Sequence, residues 1–220
     1  MNQAIIYIHG KGGSAAEAAH YKEIFGEADV IGFDYRAQTP WDAKEEFVAF
    51  FDKTMESYDN ISVIANSIGA YFTMSALANK PIERVWFISP IVDMEQLIMD
   101  MMIWANVTEK ELSEQKEIKT NFGETLSWDY LCYARTHPIC WQVPTKIAYG
   151  EKDHLTTHET MHRFAEENKC TLSVMDDGEH WFRTEEQMAF LDAWLRDEWS
   201  LCFLPDDQVL AKDFELRCVV

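Results

Sequence analysis

Hydrophobic positions along this chain fall into two alternating rhythms. Short, nearly unbroken apolar runs stand at Ala4-Ile5-Ile6-Tyr7-Ile8, Asp29–Phe33, Asn60–Ala65, Arg84–Ile88, Thr145–Tyr149 and Cys170–Met175. Runs of this length and composition predict strands covered on both faces of a parallel sheet. Between them the apolar positions recur at helical spacing. Pro40-Trp41-Asp42 opens a helix whose one face carries Phe47, Val48, Phe50, Phe51 and Met55. A helix is predicted from Ser14 to about Glu23, with Glu17 as the capping-box partner of Ser14. Others are predicted from Ile68 to about Asn79, where Pro81 stops it, over Thr157–Asn168, and from Thr184 to Trp199. Strand and helix in alternation predict an α/β fold: a mostly parallel sheet of about six strands flanked by helices.

The rhythm breaks between Ile91 and Trp141. This interval is helical in character, with Met94, Leu97, Ile98, Met101, Met102, Ile103 and Trp104 early and Trp128, Tyr130, Leu131 and Tyr133 late. It is too long for an ordinary connection, so a helical cap over the carboxyl edge of the sheet is expected. The methionine- and tryptophan-rich part reads first as packing and second as an adaptable acyl pocket. A single domain over residues 1–199, with the cap at about 91–141, accounts for all of this. The tail 200–220 carries no legible chemistry.

Composition narrows the picture. The chain has 220 residues, 47% hydrophobic and 13% aromatic, enough to bury a sizeable core. Its 19 basic and 38 acidic residues leave a net charge of −19, which repels phosphate backbones and anionic lipid surfaces. Neither nucleic acid nor membrane is therefore an expected partner. The N-terminus lacks the basic stretch of a signal peptide, and no apolar run is long enough to span a bilayer. Cys132, Cys140, Cys170, Cys202 and Cys218 are odd in number and lack metal-type spacing, which fits free thiols in the cytoplasm.

The candidate chemistry begins at Ala65-Asn66-Ser67-Ile68-Gly69-Ala70, where a strand stops at a serine and small residues open a helix. This is the pattern of a nucleophile elbow, a sharp strand-to-helix turn that tolerates only small neighbours two positions either side of the serine. The usual first glycine is replaced by Ala65, a small departure. Asp153 follows the fifth predicted strand and His180 the sixth. All three occupy positions after strands, where open α/β sheets gather function. A serine hydroxyl is a weak nucleophile until an imidazole accepts its proton, and histidine titrates close to working pH. An aspartate then holds the imidazole tautomer and stabilises its charged form. Asp93, just after the fourth strand, is the alternative acid.

A competing motif is His158-Glu159-Thr160-Met161-His162, which spells the helical zinc pair of metallopeptidases. Its helix is short, no third ligand pattern follows, and Met161, Phe164 and Ala165 already define a buried side. No metal and no cofactor are expected.

With His9-Gly10-Lys11-Gly12, Asn66-Ser67-Ile68-Gly69, Gly150-Glu151-Lys152-Asp153 and Gly178-Glu179-His180 in this order, the chain resembles a small, cap-bearing α/β-hydrolase of the serine esterase and lipase-like group. The resemblance covers about Ala4 to Trp199. It implies a metal-independent hydrolase of carboxylic esters, with Ser67, His180 and Asp153 as the triad and the backbone N–H groups of Lys11 and Ile68 as the oxyanion hole. Gly10, Gly12 and Gly13 would let the loop approach the substrate, and His9 would brace it. The implied partner is a small or medium hydrophobic ester. A thioesterase, an amidase, an acyltransferase and a non-catalytic hydrolase-like binding protein are compatible with the same residues.

Overall fold

The computed structural model describes residues 2–201. The strands are β1 (Gln3–Ile8), β2 (Asp29–Phe33), β3 (Asn60–Asn66), β4 (Val85–Ile88), β5 (Glu117–Lys119), β6 (Thr125–Ser127), β7 (Thr145–Gly150) and β8 (Thr171–Met175). The helices are α1 (Ala18–Tyr21), α2 (Pro40–Met55), α3 (Ile68–Leu77), α4 (Met94–Ala105), α5 (Glu109–Gln115), α6 (Trp128–Thr136), α7 (His158–Glu167) and α8 (Glu185–Leu201). Six strands make one sheet in the order β2-β1-β3-β4-β7-β8, and every pairing in it is parallel.

The two faces of that sheet explain the unbroken apolar runs. Side chains alternate across a strand, and here both sides are dry. Ala4, Ile6, Ile8, Val63, Ala65, Phe87 and Tyr149 join one buried cluster with α2, α3 and α7. Ile5, Tyr7, Ile64, Trp86, Ile88 and Ala148 join the other, with α1 and α8. A polar residue on either side would lose solvation, so the central strands are mainly apolar, with Ser62 and Thr145 as buried polar exceptions. Among the described residues no helix is long and apolar enough to cross a membrane.

Two expectations are corrected. The first helix does not run from Ser14 to Glu23: a 3-10 turn at Ala15–Glu17 leads into α1, which ends at Tyr21. Ile24 and Phe25 are buried among the residues of the second cluster. Placing them there turns the chain, with the N–H groups of Ile24 and Phe25 both donating to Tyr21 O. The interval 91–141 is not helical throughout. Besides α4, α5 and α6 it holds the antiparallel hairpin β5–β6, with Ile118 opposite Leu126. Gly123 takes φ +90° in its turn, and Thr120 N–H donates to Glu124 O at 2.8 Å. Helix cannot continue through that conformation.

The inner side of this insertion belongs to the main core: Met94, Leu97, Ile98, Met102, Leu112, Leu126 and Leu131 are buried there. Its outer side leaves Ile103 72% and Trp104 48% exposed. Of the tail, residues 202–220 lie outside the described residues, as do Cys202 and Cys218.

Candidate active site

The elbow is built by the end of β3. Ser67 stands at φ 52° and ψ −120°, a conformation that costs a non-glycine residue about 1–3 kcal/mol. Its backbone is tied on both sides: Ser67 N–H donates to Ile88 O at 3.0 Å, and Ser67 O accepts from Ala70 and Ile91 at 3.1 and 3.2 Å. Gly69 explains the small-residue requirement. A Cβ there would lie 2.4 Å from His9 O, so the first turn of α3 can pass the end of β1 only without a side chain. Gly10 is close on the other side, where a Cβ would meet Ser67 Cβ at 3.2 Å.

The loops after β7 and β8 come together as tightly. A Cβ on Gly150 would lie 2.5 Å from Gly178 O, which accepts from Lys152 N–H at 2.8 Å. These contacts set Asp153 and His180 against each other. His180 Nδ1 lies 2.6 Å from Asp153 Oδ2, and both side chains are wholly buried. The other carboxylate oxygen accepts from the N–H groups of Leu155 at 2.8 Å and Thr156 at 3.2 Å. A carboxylate only accepts, so Nδ1 carries the ring hydrogen and Nε2 is left as an acceptor. Ser67 Oγ is 2.8 Å from that Nε2. The arrangement can take a proton from Ser67 and hold the resulting imidazolium against a buried carboxylate.

Other sequence-predicted residues sort themselves by position. Lys11 and Ile68 flank Ser67, and neither backbone N–H has an acceptor among the described residues. The Lys11 side chain is not free in solvent, since its Nζ pairs with Glu124 in the hairpin turn of the insertion. Gly12 takes φ +76°, which keeps this loop in a path that suits glycine. His9 donates from Nδ1 to Gly10 O at 2.8 Å and stacks on Tyr35, whose hydroxyl donates to His9 O at 2.8 Å.

Asp93 is not brought to His180. It caps α4, accepting from Gln96 N–H at 3.0 Å, and lies 3.6 Å from Arg163. His158 and His162 share an exposed face of α7, with their Nε2 atoms 3.1 Å apart. Among the described residues no three His, Cys, Asp or Glu side chains are grouped to hold a metal ion.

Beside Ser67 opens a cavity of about 540 Å³, lined among others by Lys11, Glu17, Tyr7, Tyr21 and Trp181. Sequence reasoning did not place these aromatic residues in a site, and it saw Glu17 only as a helix cap. The alternation along β1, which sends Tyr7 to the α1 side of the sheet, was the available signal.

No family model and no curated protein matches the sequence. Solved structures match it closely in shape. The Est1E protein from Butyrivibrio proteoclasticus superposes with a TM-score of 0.70 at 18% identity, covering 90% of this chain and 86% of that one. Alpha/beta hydrolase domain-containing protein 10 from mouse gives 0.70 at 15% identity, over 90% and 89%. An esterase from Pyrococcus furiosus gives 0.59 at 22% identity, over 90% and 81%. Strand order, parallel pairing and these superpositions agree: the chain has the α/β-hydrolase fold.

Proposed function

We propose that this protein is a serine hydrolase that cleaves a carboxylic ester of a small to medium substrate, with Ser67 as nucleophile. The observation that carries the reading is the hydrogen-bonded run Ser67–His180–Asp153, buried behind a serine held at φ 52°. Ser67 Oγ attacks the acyl carbon while its proton passes to His180 Nε2. The oxyanion takes the free N–H groups of Lys11 and Ile68, donors worth about two to three orders of magnitude in turnover each. The C–O bond to the alcohol breaks as His180 returns the proton to the leaving oxygen. Water then gives a proton to His180 and its oxygen to the acyl carbon, and Ser67 is restored as the acid leaves.

The insertion between β4 and β7 serves in this reading as the cap. Its hairpin reaches the loop that carries Lys11, as the Lys11–Glu124 pair supports. The reading places the protein in the reducing cytoplasm, in keeping with the unpaired Cys132, Cys140 and Cys170. The fold of the esterase neighbours is in accord with it.

The test is labelling by a fluorophosphonate probe, followed by turnover of p-nitrophenyl esters of increasing chain length. Wild type labels and Ser67→Ala does not, with chelator changing neither. A folded wild type that resists the probe and turns over no ester would sink the reading.

A further inference from the structure

The cavity beside Ser67 has an uneven charge balance. Three basic side chains line it, and each is matched by a carboxylate outside the lining. Lys11 pairs with Glu124, His20 Nε2 lies 2.7 Å from Asp192, and Arg183 is 3.6 Å from Glu179. Glu17 also lines the cavity, and its carboxylate has no cation among the described residues. Its donors among the described residues are neutral, the Tyr7 hydroxyl at 2.5 Å and Ser14 N–H at 3.0 Å. These donors hold the carboxylate in place and leave its charge uncancelled.

Aromatic side chains form part of the remaining wall, beside Asn66, Ile88, Met188 and Leu191. Trp181 lines the same cavity, is 44% exposed and stands perpendicular to the His180 ring at 4.7 Å between centroids. Tyr7 and Tyr21 also line it, 5.0 Å apart, but are buried, so the indole of Trp181 is the accessible ring. An accessible indole face attracts cations through its quadrupole, and an uncancelled carboxylate does so through its charge. The chain's net charge of −19 works in the same direction at long range.

We infer that this cavity binds an ammonium group, so that the preferred ester carries a cation on its alcohol or acyl end. This specificity rests on the ester hydrolase reading of Ser67. Glu17 and Trp181 determine it, and neither takes part in bond making.

The test compares two isosteric probes, 3-(trimethylammonio)propyl butyrate and the uncharged 4,4-dimethylpentyl butyrate, by acid release at constant pH. Wild type at low salt favours the cationic ester in kcat/KM by about tenfold. The preference shrinks at 0.5 M salt and falls to about unity in Glu17→Gln. A purely structural role of Glu17 in the loop would slow both esters alike and leave the ratio unmoved. Trp181→Leu reports on the same cavity and lowers the ratio should Glu17→Gln fail to fold. Equal kcat/KM for the two esters in wild type, or a ratio indifferent to both variants, overturns the inference while leaving the hydrolase reading intact. If wild type turns over neither ester, tetramethylammonium alone is titrated against the Trp181 indole N–H resonance. A saturable shift weakened in Glu17→Gln supports the cation site, and no shift overturns it.

Discussion

Asp153→Asn separates the two candidate acids, and the structure says how it fails. Asp153 Oδ1 already accepts two backbone N–H groups, from Leu155 and Thr156. An asparagine keeps those bonds only by placing its carbonyl oxygen there, so its NH₂ replaces Oδ2 against His180 Nδ1. Two donors then face each other at about the 2.6 Å that the wild type holds. The ring escapes by moving its hydrogen to Nε2 and accepting at Nδ1, and Nε2 can no longer take the proton of Ser67. A wrong tautomer of this kind costs about 10⁴ in kcat, or about 5 kcal/mol of transition-state stabilisation.

Asp93→Asn provides the control. Asparagine caps helices about as well as aspartate, so α4 keeps its start and only the 3.6 Å contact with Arg163 weakens. Its kcat should stay within about twofold of wild type. The assay is p-nitrophenyl butyrate hydrolysis under saturating conditions, with thermal melts to show that both variants fold. A folded Asp153→Asn that keeps more than a tenth of the activity, or an Asp93→Asn that loses more than a hundredfold, would refute the argument.

Three further outcomes are expected. Gly69→Ala puts a methyl group 2.4 Å from His9 O, so α3 must shift at a cost of about 1–3 kcal/mol, seen as a lower melting temperature together with weaker fluorophosphonate labelling. Glu124→Gln frees the Lys11 side chain but removes only a surface pair, with side chains 57% and 35% exposed; kcat/KM should change by less than about fivefold, and the difference from wild type should vanish at high salt. Burial raises the Tyr149 phenol to about 12 and also raises those of Tyr7, Tyr21, Tyr35 and Tyr130. Above pH 10 the folded chain thus holds more protons than the unfolded one, and stability present below pH 10 is lost as pH rises toward 12. Melting temperatures and phenolate absorbance followed from pH 8 to 12 should show the ionisation of these five phenols together with unfolding, and their reversible ionisation near pH 10 in a folded chain would contradict this.

Much of this arrangement was legible because the constraints on it are local. The apolar runs were strands because both faces of the sheet are covered, and the serine between small residues was an elbow because Gly69 passes within contact of His9 O. What escaped reading depended on partners far apart in sequence. Glu124 meets Lys11 across 113 positions, and nothing about Glu-Ile-Lys or Thr-Leu-Ser marks a hairpin of three-residue strands. The choice between Asp93 and Asp153 was likewise a question of distance, since both follow strands. The His158–His162 pair has the spacing the zinc motif requires and the rings do meet, yet among the described residues no third ligand joins them on that exposed helix face.

The strain at Ser67 ties the sheet to the chemistry. A serine at φ 52° relaxes unless its neighbours hold it, and here the neighbours are the backbone of the adjoining strand end. Ile88 O, at the end of β4, fixes its N–H, and Ile91 N–H, three residues past β4, fixes its carbonyl, so both peptide units that flank Ser67 are held. The next strand repeats the device: Ser89, at φ 42° and fully buried, donates its N–H to Ala148 O of β7 at 2.9 Å. Parallel strands leave such donors and acceptors unpaired where they end, and in this fold those loose ends satisfy one another across β3, β4 and β7. The same edge carries Asp153 three residues past β7 and His180 five residues past β8, so the geometry of Ser67, His180 and Asp153 depends on strand register together with the loop contacts between Gly150 and Gly178. A perturbation that loosens β4 should therefore cost labelling of Ser67 before it costs the fold.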